Sequence, residues 1–276
     1  MRNGVLSWAF FLCLSLFSRP TGATECQVAL LPGAFERSSL VARWILSEDE
    51  YFREYRDFFK GKGCLVKQMH FPPDSTIEQR AFLIRNQLEE SGPWWVIAHS
   101  QAGLDLRFAF QTLRLNPSRV RGVVSIGTPH HGSRVATWAL DHLQRRSLFW
   151  RVLKLAGYDL GELRFLPEMD GDFLIQKAGY FIQEPRVAWF SVGSDCQNSC
   201  HWALRLLAHW AGARNGDGLV ELESQRFGQW LGPFDLDHLS EVGVDGAKRG
   251  IRGEVLKMIL KIIQKASKDE RLGSSS

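Results

Sequence analysis

The stretch WWVIAHSQAGLDLRF, Trp94 to Phe108, decides how the whole chain is read. Trp94 to Ala98 is an apolar run of strand length, and the residues after Gln101 recur with a helical period. His99, Ser100 and Gln101 lie between them. A serine on a sharp strand-to-helix turn is the layout of a nucleophile elbow. Such a turn brings the residues two before and two after the serine close together, so both must be small. Glycine is usual at these positions. Here they are Ala98 and Ala102, the next smallest choice, which meets the steric demand with less margin. A helix starting at this point aims the positive end of its dipole at the serine. An ordinary serine in a tight turn is the alternative.

Working outward, apolar runs alternate with longer amphipathic segments. VALLPG (Val28 to Gly33), CLVKQMHF (Cys64 to Phe71), VRGVVSIGTP (Val120 to Pro129) and RVAWFSVGS (Arg186 to Ser194) read as strands. Ser38 to Gly63 carries helical periodicity. Ser75 to Gly92 reads as a helix with Ser75 as N-cap, Glu78 three positions on, and Gly92 as the stop. Glu254 to Lys268 reads as a closing amphipathic helix. Strands alternating with helices predict βαβ units and a mostly parallel sheet. One segment, residues 133–180, breaks the alternation. It is helical and rich in Leu, Trp and Phe. The tail, residues 269–276, reads as disordered.

The chain has 276 residues, 45% of them hydrophobic, and a net charge of +4. Those values fit one α/β domain with a substantial core. No long basic run is present, which argues against a nucleic-acid partner. Arg2, the apolar run Val5 to Phe17, and the small residues Thr21-Gly22-Ala23 read as an export signal over residues 1–23, with the domain following over 24–268. A retained N-terminal anchor is the competing reading. Export predicts a secreted or periplasmic protein and an oxidising compartment. Cys13 leaves with the signal, while Cys26, Cys64, Cys196 and Cys200 remain and allow three pairings. Cys26 and Cys64 each open a strand. If those strands are parallel neighbours, both cysteines lie at the same sheet end. We therefore expect Cys26–Cys64 and Cys196–Cys200. A zinc site of Cys196, Cys200, His201 and His209 is the alternative.

A serine nucleophile needs a base, and the base needs a carboxylate to hold its tautomer. Asp217 sits in NGDG (Asn215 to Gly218), and His238 sits in FDLDHLSEVG (Phe234 to Gly243). The chain order Ser100, Asp217, His238 is one that such triads use. Asp195 and Asp235 are rivals for the acid. Of the other histidines, His70, His142, His201 and His209 lie in or beside regular elements, His99 is expected to point away from the site, and His130 and His131 follow a strand. The oxyanion hole is expected from the backbone N–H of Gln101 and that of Ala34, just past Pro32-Gly33.

Four segments in order, VALLPGAF, VIAHSQAG, VVSIGTPHHGS and NGDGLV with LDHLSEV, make the chain resemble bacterial secreted triacylglycerol lipases of the lactonising-lipase group. The resemblance implies an α/β-hydrolase fold, with a mostly parallel sheet, helices on both faces and a helical lid over 133–180. It implies ester hydrolysis through an acyl-enzyme, with Ser100, Asp217 and His238 as triad and Ala34 and Gln101 as oxyanion hole. The expected substrate is a lipid or other ester, met at a lipid–water interface, and the chemistry needs no cofactor. The departures are Pro32 where the family has a histidine, the two elbow alanines, and Ser240 where the family has an aspartate that helps bind a structural calcium. Phospholipase, short-chain esterase, polyester depolymerase and acyltransferase are alternatives on the same site. A non-catalytic binding protein is the alternative from another class.

Overall fold

The computed structural model describes residues 26–34, 51–72, 75–142, 166–171, 174, 184–196, 199–243 and 247–273. The export signal (1–23), residues 35–50 and most of the 133–180 insertion lie outside the described residues.

Six strands form one sheet in the order β2-β1-β3-β4-β5-β6, every neighbouring pair parallel. They are β1 (Gln27–Leu31), β2 (Leu65–Gln68), β3 (Trp94–His99), β4 (Val120–Ile126), β5 (Ala188–Ser194) and β6 (Gln229–Phe234). Parallel strands need crossover connections. Among the described residues, helices α1 (Arg53–Gly61), α2 (Ile77–Glu89), α3 (Ala102–Gln111), α4 (Arg134–His142), α5 (Trp202–Trp210) and α6 (Arg249–Gly273) occur along the chain.

Side chains alternate between faces along a strand, so one sheet feeds two cores. On one face Val28, Leu30, Trp95, Ile97, Val124 and Ile126 pack with Tyr55 and Phe59 of α1 and Val255, Ile259 and Ile263 of α6. On the other, Ala29, Leu31, Trp94, Val96, Ala98 and Val123 pack with Ala81, Ile84 and Leu88 of α2 and Leu106 and Ala109 of α3. Helices on both faces of a parallel sheet are what the sequence alternation predicts. β3, buried at every position, is central.

Four expectations change in detail. The N-cap of α2 is Thr76, one residue later than expected. Its side chain accepts from Gln79 N, and the Gln79 side chain accepts from Thr76 N, a reciprocal capping box. Ser75 instead donates to the Pro72 carbonyl at 2.7 Å. β6 escapes the sequence reading because QWLGPF carries Gly232 and Pro233, which argue against a strand; as an edge strand it tolerates both. α5 is a helix to which the reading gave no bounds, though it put His201 and His209 in or beside a regular element. α6 runs to Gly273, so the first part of the tail expected to be disordered continues the helix.

The structure joins Cys26 to Cys64 and Cys196 to Cys200, with Cα separations of 4.6 and 4.9 Å. Gln27 pairs with Leu65 in the parallel β1–β2 ladder, which sets the first two cysteines side by side. The second bond consumes both thiols that the zinc alternative required. The Cys26–Cys64 bond spans 38 residues. Chain-entropy arguments then predict that the double variant Cys26→Ala/Cys64→Ala unfolds with about 2–4 kcal/mol less stability in a denaturant titration.

Candidate functional site

The turn after β3 is built as an elbow. Ser100 has φ 56°, in the left-handed region that a side chain with a Cβ adopts only under constraint. The constraint is visible on both sides. Ser100 N donates to the Ile126 carbonyl of β4 at 2.9 Å, and Gly103 N donates to the Ser100 carbonyl. Ala98 and Ala102 are fully buried, so larger residues there would open the turn. Gly103 packs on Thr128: a Cβ added at Gly103 would lie 3.0 Å from Thr128 Cβ and closer still to its branches.

Ser100 Oγ lies 3.0 Å from His238 Nε2, and His238 Nδ1 lies 2.9 Å from Asp217 Oδ2. All three side chains are buried. The second Asp217 oxygen accepts from Leu219 N and Val220 N, each at 2.8 Å, and His238 N donates to the Asp217 carbonyl. Asp217 is thus locked by its own turn, and His238 is tied to Asp217 through both backbone and side chain. The rivals lie elsewhere. Asp195 accepts from Gly216 N, and Asp235 engages Ser199 and Lys248.

Gly33 ends the turn after β1 against the serine. A Cβ placed on it would come 2.8 Å from Ser100 Cβ and 3.3 Å from the His99 carbonyl. Only glycine allows this approach, which brings the end of the β1 turn against Ser100, while Gln101 opens α3 on the other side. Arg80 of α2 braces the same turn. It donates to the Pro32 carbonyl and forms a buried ion pair with Asp105.

A second serine–histidine contact exists and has a different character. Ser125 Oγ lies 3.0 Å from His130 Nε2. On the other side of that ring is a cation: Arg107 Nη1 donates to His130 Nδ1 at 3.2 Å. Nδ1 therefore accepts, Nε2 carries the proton, and the ring donates to Ser125 rather than taking its proton. Trp189 Nε1 also donates to Ser125 Oγ, which itself donates to the Phe190 carbonyl. Burial and the Arg107 charge hold the His130 imidazole well below its ordinary pKa. Ser125 is a strand serine with its lone pairs filled.

The sequence reading passed over four groups. Glu241 lies with Oε2 3.6 Å from His238 Nδ1 and 3.0 Å from His99 Nε2. His99, expected to point away, does leave the serine, but its ring packs 4.5 Å from that of His238. Tyr51 Oη meets His99 Nδ1 at 2.5 Å. Gly127, at φ 54°, makes room for the two acids, since a Cβ there would lie 2.9 Å from Asp217 Oδ2 and against Glu241. The fourth is Glu168, in the short turn Leu166–Met169. It accepts from Ile77 N at 2.8 Å and from Gln101 Nε2 at 3.3 Å.

Burial, the largest cause, pushes the Glu168 carboxyl from its ordinary 4.5 up to about 7. A carboxyl raised by folding favours the protonated protein, so its contribution is lost as pH rises from the unfolded value through the folded one. We predict that Glu168→Gln gains stability relative to the parent between about pH 4.5 and 7, read as a widening Tm difference across that window. A pH-independent difference would contradict the assignment.

The resemblance also implies a structural calcium, and the residues here do not fit one. Ser240 Oγ accepts from Asp237 N and donates to the Asp237 carbonyl, while Asp237 Oδ1 accepts from Leu239 N and Ser240 N. Asp237 Oδ2 accepts from His201 N. The position that would add a carboxylate offers a committed hydroxyl, and the neighbouring carboxylate already caps backbone.

No family model matches the sequence. The chain is 26% identical over 220 residues to triacylglycerol lipase 2 of Saccharomyces cerevisiae, a match covering 71% of this chain and 63% of that protein. Among solved structures it superposes on a metagenomic carboxyl esterase with TM-score 0.68, at 16% identity, covering 88% of this chain and 77% of the other. It superposes on a Bacillus licheniformis lipase with TM-score 0.62, again at 16% identity, covering 85% and 93%. The Staphylococcus hyicus lipase gives 0.61 at 12% identity, covering 91% and 98%. By sequence the chain is similar to a triacylglycerol lipase, and its architecture is the α/β-hydrolase fold.

Proposed function

We propose that the protein is a serine ester hydrolase of lipase type, exported and acting on acyl esters at a lipid–water interface. The observation that carries this reading is the continuous contact from Asp217 through His238 to Ser100 on a strained elbow. Ser100 Oγ attacks the ester carbonyl while His238 Nε2 takes its proton. His238 then gives that proton to the leaving ester oxygen as its bond to the carbonyl carbon breaks, giving an acyl-enzyme and an alcohol. Water then repeats the sequence and releases the acid. Asp217 holds the Nδ1–H tautomer. The N–H groups of Gln101 and Ala34 receive the oxyanion. All of this is done by the chain's own residues.

The interface part of the reading rests on α5. Trp202 and Trp210 are 73% and 51% exposed, and Leu206 lies between them on the same helical face. Large apolar side chains left in water mark interaction surfaces, and tryptophan favours the lipid–water boundary. Between Cys196 and Gly216 the sequence has Arg205 and Arg214 but neither Asp nor Glu, which suits an anionic surface. The helix also sits next to the reacting groups: Leu204 packs against Gly218, beside Asp217, and His201 N bonds Asp237, beside His238.

The 133–180 lid is only partly within the described residues. α4 and the turn at Leu166–Met169 pack as core: Ala136, Ala139, Met169 and Leu174 cluster with Ile77 and Leu104. These parts are packed as core and not as a cover over the site, and residues 143–165 lie outside the described residues. Interfacial activity should therefore depend on α5. We expect turnover of a water-insoluble ester to rise steeply past its solubility limit. Trp202→Ser/Trp210→Ser should blunt that rise and leave hydrolysis of a short soluble ester unchanged. Simple saturation with best turnover on short esters would remove the lipase reading and keep the hydrolase one.

A further inference from the structure

Behind the reacting groups runs a buried chain that returns to the oxyanion turn. Gly33 N lies 2.9 Å from Tyr51 Oη, Tyr51 Oη 2.5 Å from His99 Nδ1, and His99 Nε2 3.0 Å from Glu241 Oε2. Glu241 Oε2 in turn faces His238 Nδ1 at 3.6 Å. Tyr51, His99 and Glu241 are 4%, 2% and 0% exposed, so no water competes for these bonds.

The direction of the first bond follows from one fact: a backbone N–H can only donate. Gly33 N–H donates, so Tyr51 Oη accepts from it. We assign the tyrosine proton to His99 Nδ1, across the short 2.5 Å contact, which makes Nδ1 the unprotonated nitrogen. His99 is therefore the Nε2–H tautomer and donates to Glu241 Oε2. The chain works with all members neutral. Burial, the first cause, keeps His99 well below its ordinary pKa, with His238 adding to the effect. Burial likewise keeps Glu241 well above its ordinary value, with the charges of Asp217 and Asp237 adding. Tyr55, which donates to the Glu241 carbonyl, is pushed above its own ordinary range by burial, then by Glu241. At 2.9 Å against 3.6 Å, Asp217 and not Glu241 is the hydrogen-bond partner of His238 Nδ1.

We infer that Tyr51, seated on His99 and Glu241, is a positioning residue that fixes the Gly33–Ala34 turn against Ser100, so that the Ala34 N–H meets the oxyanion as it forms. The inference rests on the proposed function and names residues outside the triad and the hole. Tyr51 is assigned an indirect role. It acts by holding a backbone donor where charge develops, an interaction strong in the transition state and weak in the ground state.

The test is Tyr51→Phe, which keeps the ring and removes the hydroxyl. Direct loss of one oxyanion donor costs about 10²–10³ in kcat, so loosening one should cost about tenfold to hundredfold, with KM within about twofold of the parent. A merely structural tyrosine would lower Tm and leave kcat per titrated active site at the parent value; that result overturns the inference. Nitrogen NMR of the histidine-labelled parent gives a second reading, independent of how the variant folds. We expect His99 neutral, with its proton on Nε2, through the range where a free imidazole titrates. A proton on Nδ1, or an imidazolium in that range, overturns the chain as written. Ser100→Ala separates the two levels of the argument. If it still hydrolyses esters, the proposed function fails. If it is inactive while Tyr51→Phe keeps the parent kcat, the positioning role alone fails.

Discussion

Ser100→Ala should lower ester hydrolysis by about a millionfold, the scale seen when a triad nucleophile is removed. The variant should fold, because the hydroxyl contributes one contact, to His238 Nε2, while the elbow is held by backbone bonds and by buried Ala98 and Ala102. Relief of a clash is not expected either, since alanine retains the Cβ that Gly33 accommodates. Ser125→Ala is the matched control. It removes a hydroxyl that receives bonds from His130 and Trp189 and leaves two buried donors unpaired. Its cost should fall on stability, about 1–3 kcal/mol, with activity per folded molecule near that of the parent. The opposite pattern would transfer the nucleophile to Ser125.

The second large effect is Asp217→Asn, expected to leave a folded enzyme slower by about 10⁴ in kcat. The asparagine oxygen can still receive the Leu219 and Val220 N–H groups, so the turn is preserved. What remains toward His238 Nδ1 is an amide NH₂, which donates and forces the ring proton onto Nε2. The ring can then no longer accept from Ser100. Glu241 is the nearby carboxyl that would substitute, at 3.6 Å from Nδ1. Losing the Asp217 charge removes one cause of its neutrality, but burial, the first cause, stays. The account therefore predicts no rescue at neutral pH. A variant within about tenfold of the parent, against the loss expected for a misplaced tautomer, would show that Glu241 orients the ring.

Much of this architecture is legible in the sequence because the signals are local. β3 and the elbow lie within fifteen residues, and the alternation of strands with amphipathic segments is a periodicity read in short windows. Asp217 and His238 are legible because turn residues and chain order restrict the choices. The neighbouring strand starts make the Cys26–Cys64 pairing legible. What escapes is produced by packing across the chain. Glu241 and His99 are 142 residues apart, and Tyr51 and His99 are 48 apart. No spacing rule connects them. β6 is hidden by the very residues that an edge strand can accept. Ser75 loses the cap to Thr76 because a reciprocal bond with Gln79 satisfies two donors at once. Ser125 and His130 show the converse: a serine and a histidine in contact carry no chemistry when an arginine occupies the position that an acid would need.

The central claim is that Ser100 is the activated nucleophile, and covalent labelling measures that most directly. A fluorophosphonate reacts with a serine whose proton a neighbouring base can take, and its phosphoryl oxygen occupies the oxyanion position. Peptide mapping after labelling should place one adduct on Ser100, with no labelling in Ser100→Ala and slow labelling in Asp217→Asn. An adduct on Ser125, or a chain that resists the reagent while folded and disulfide-bonded, would contradict the account.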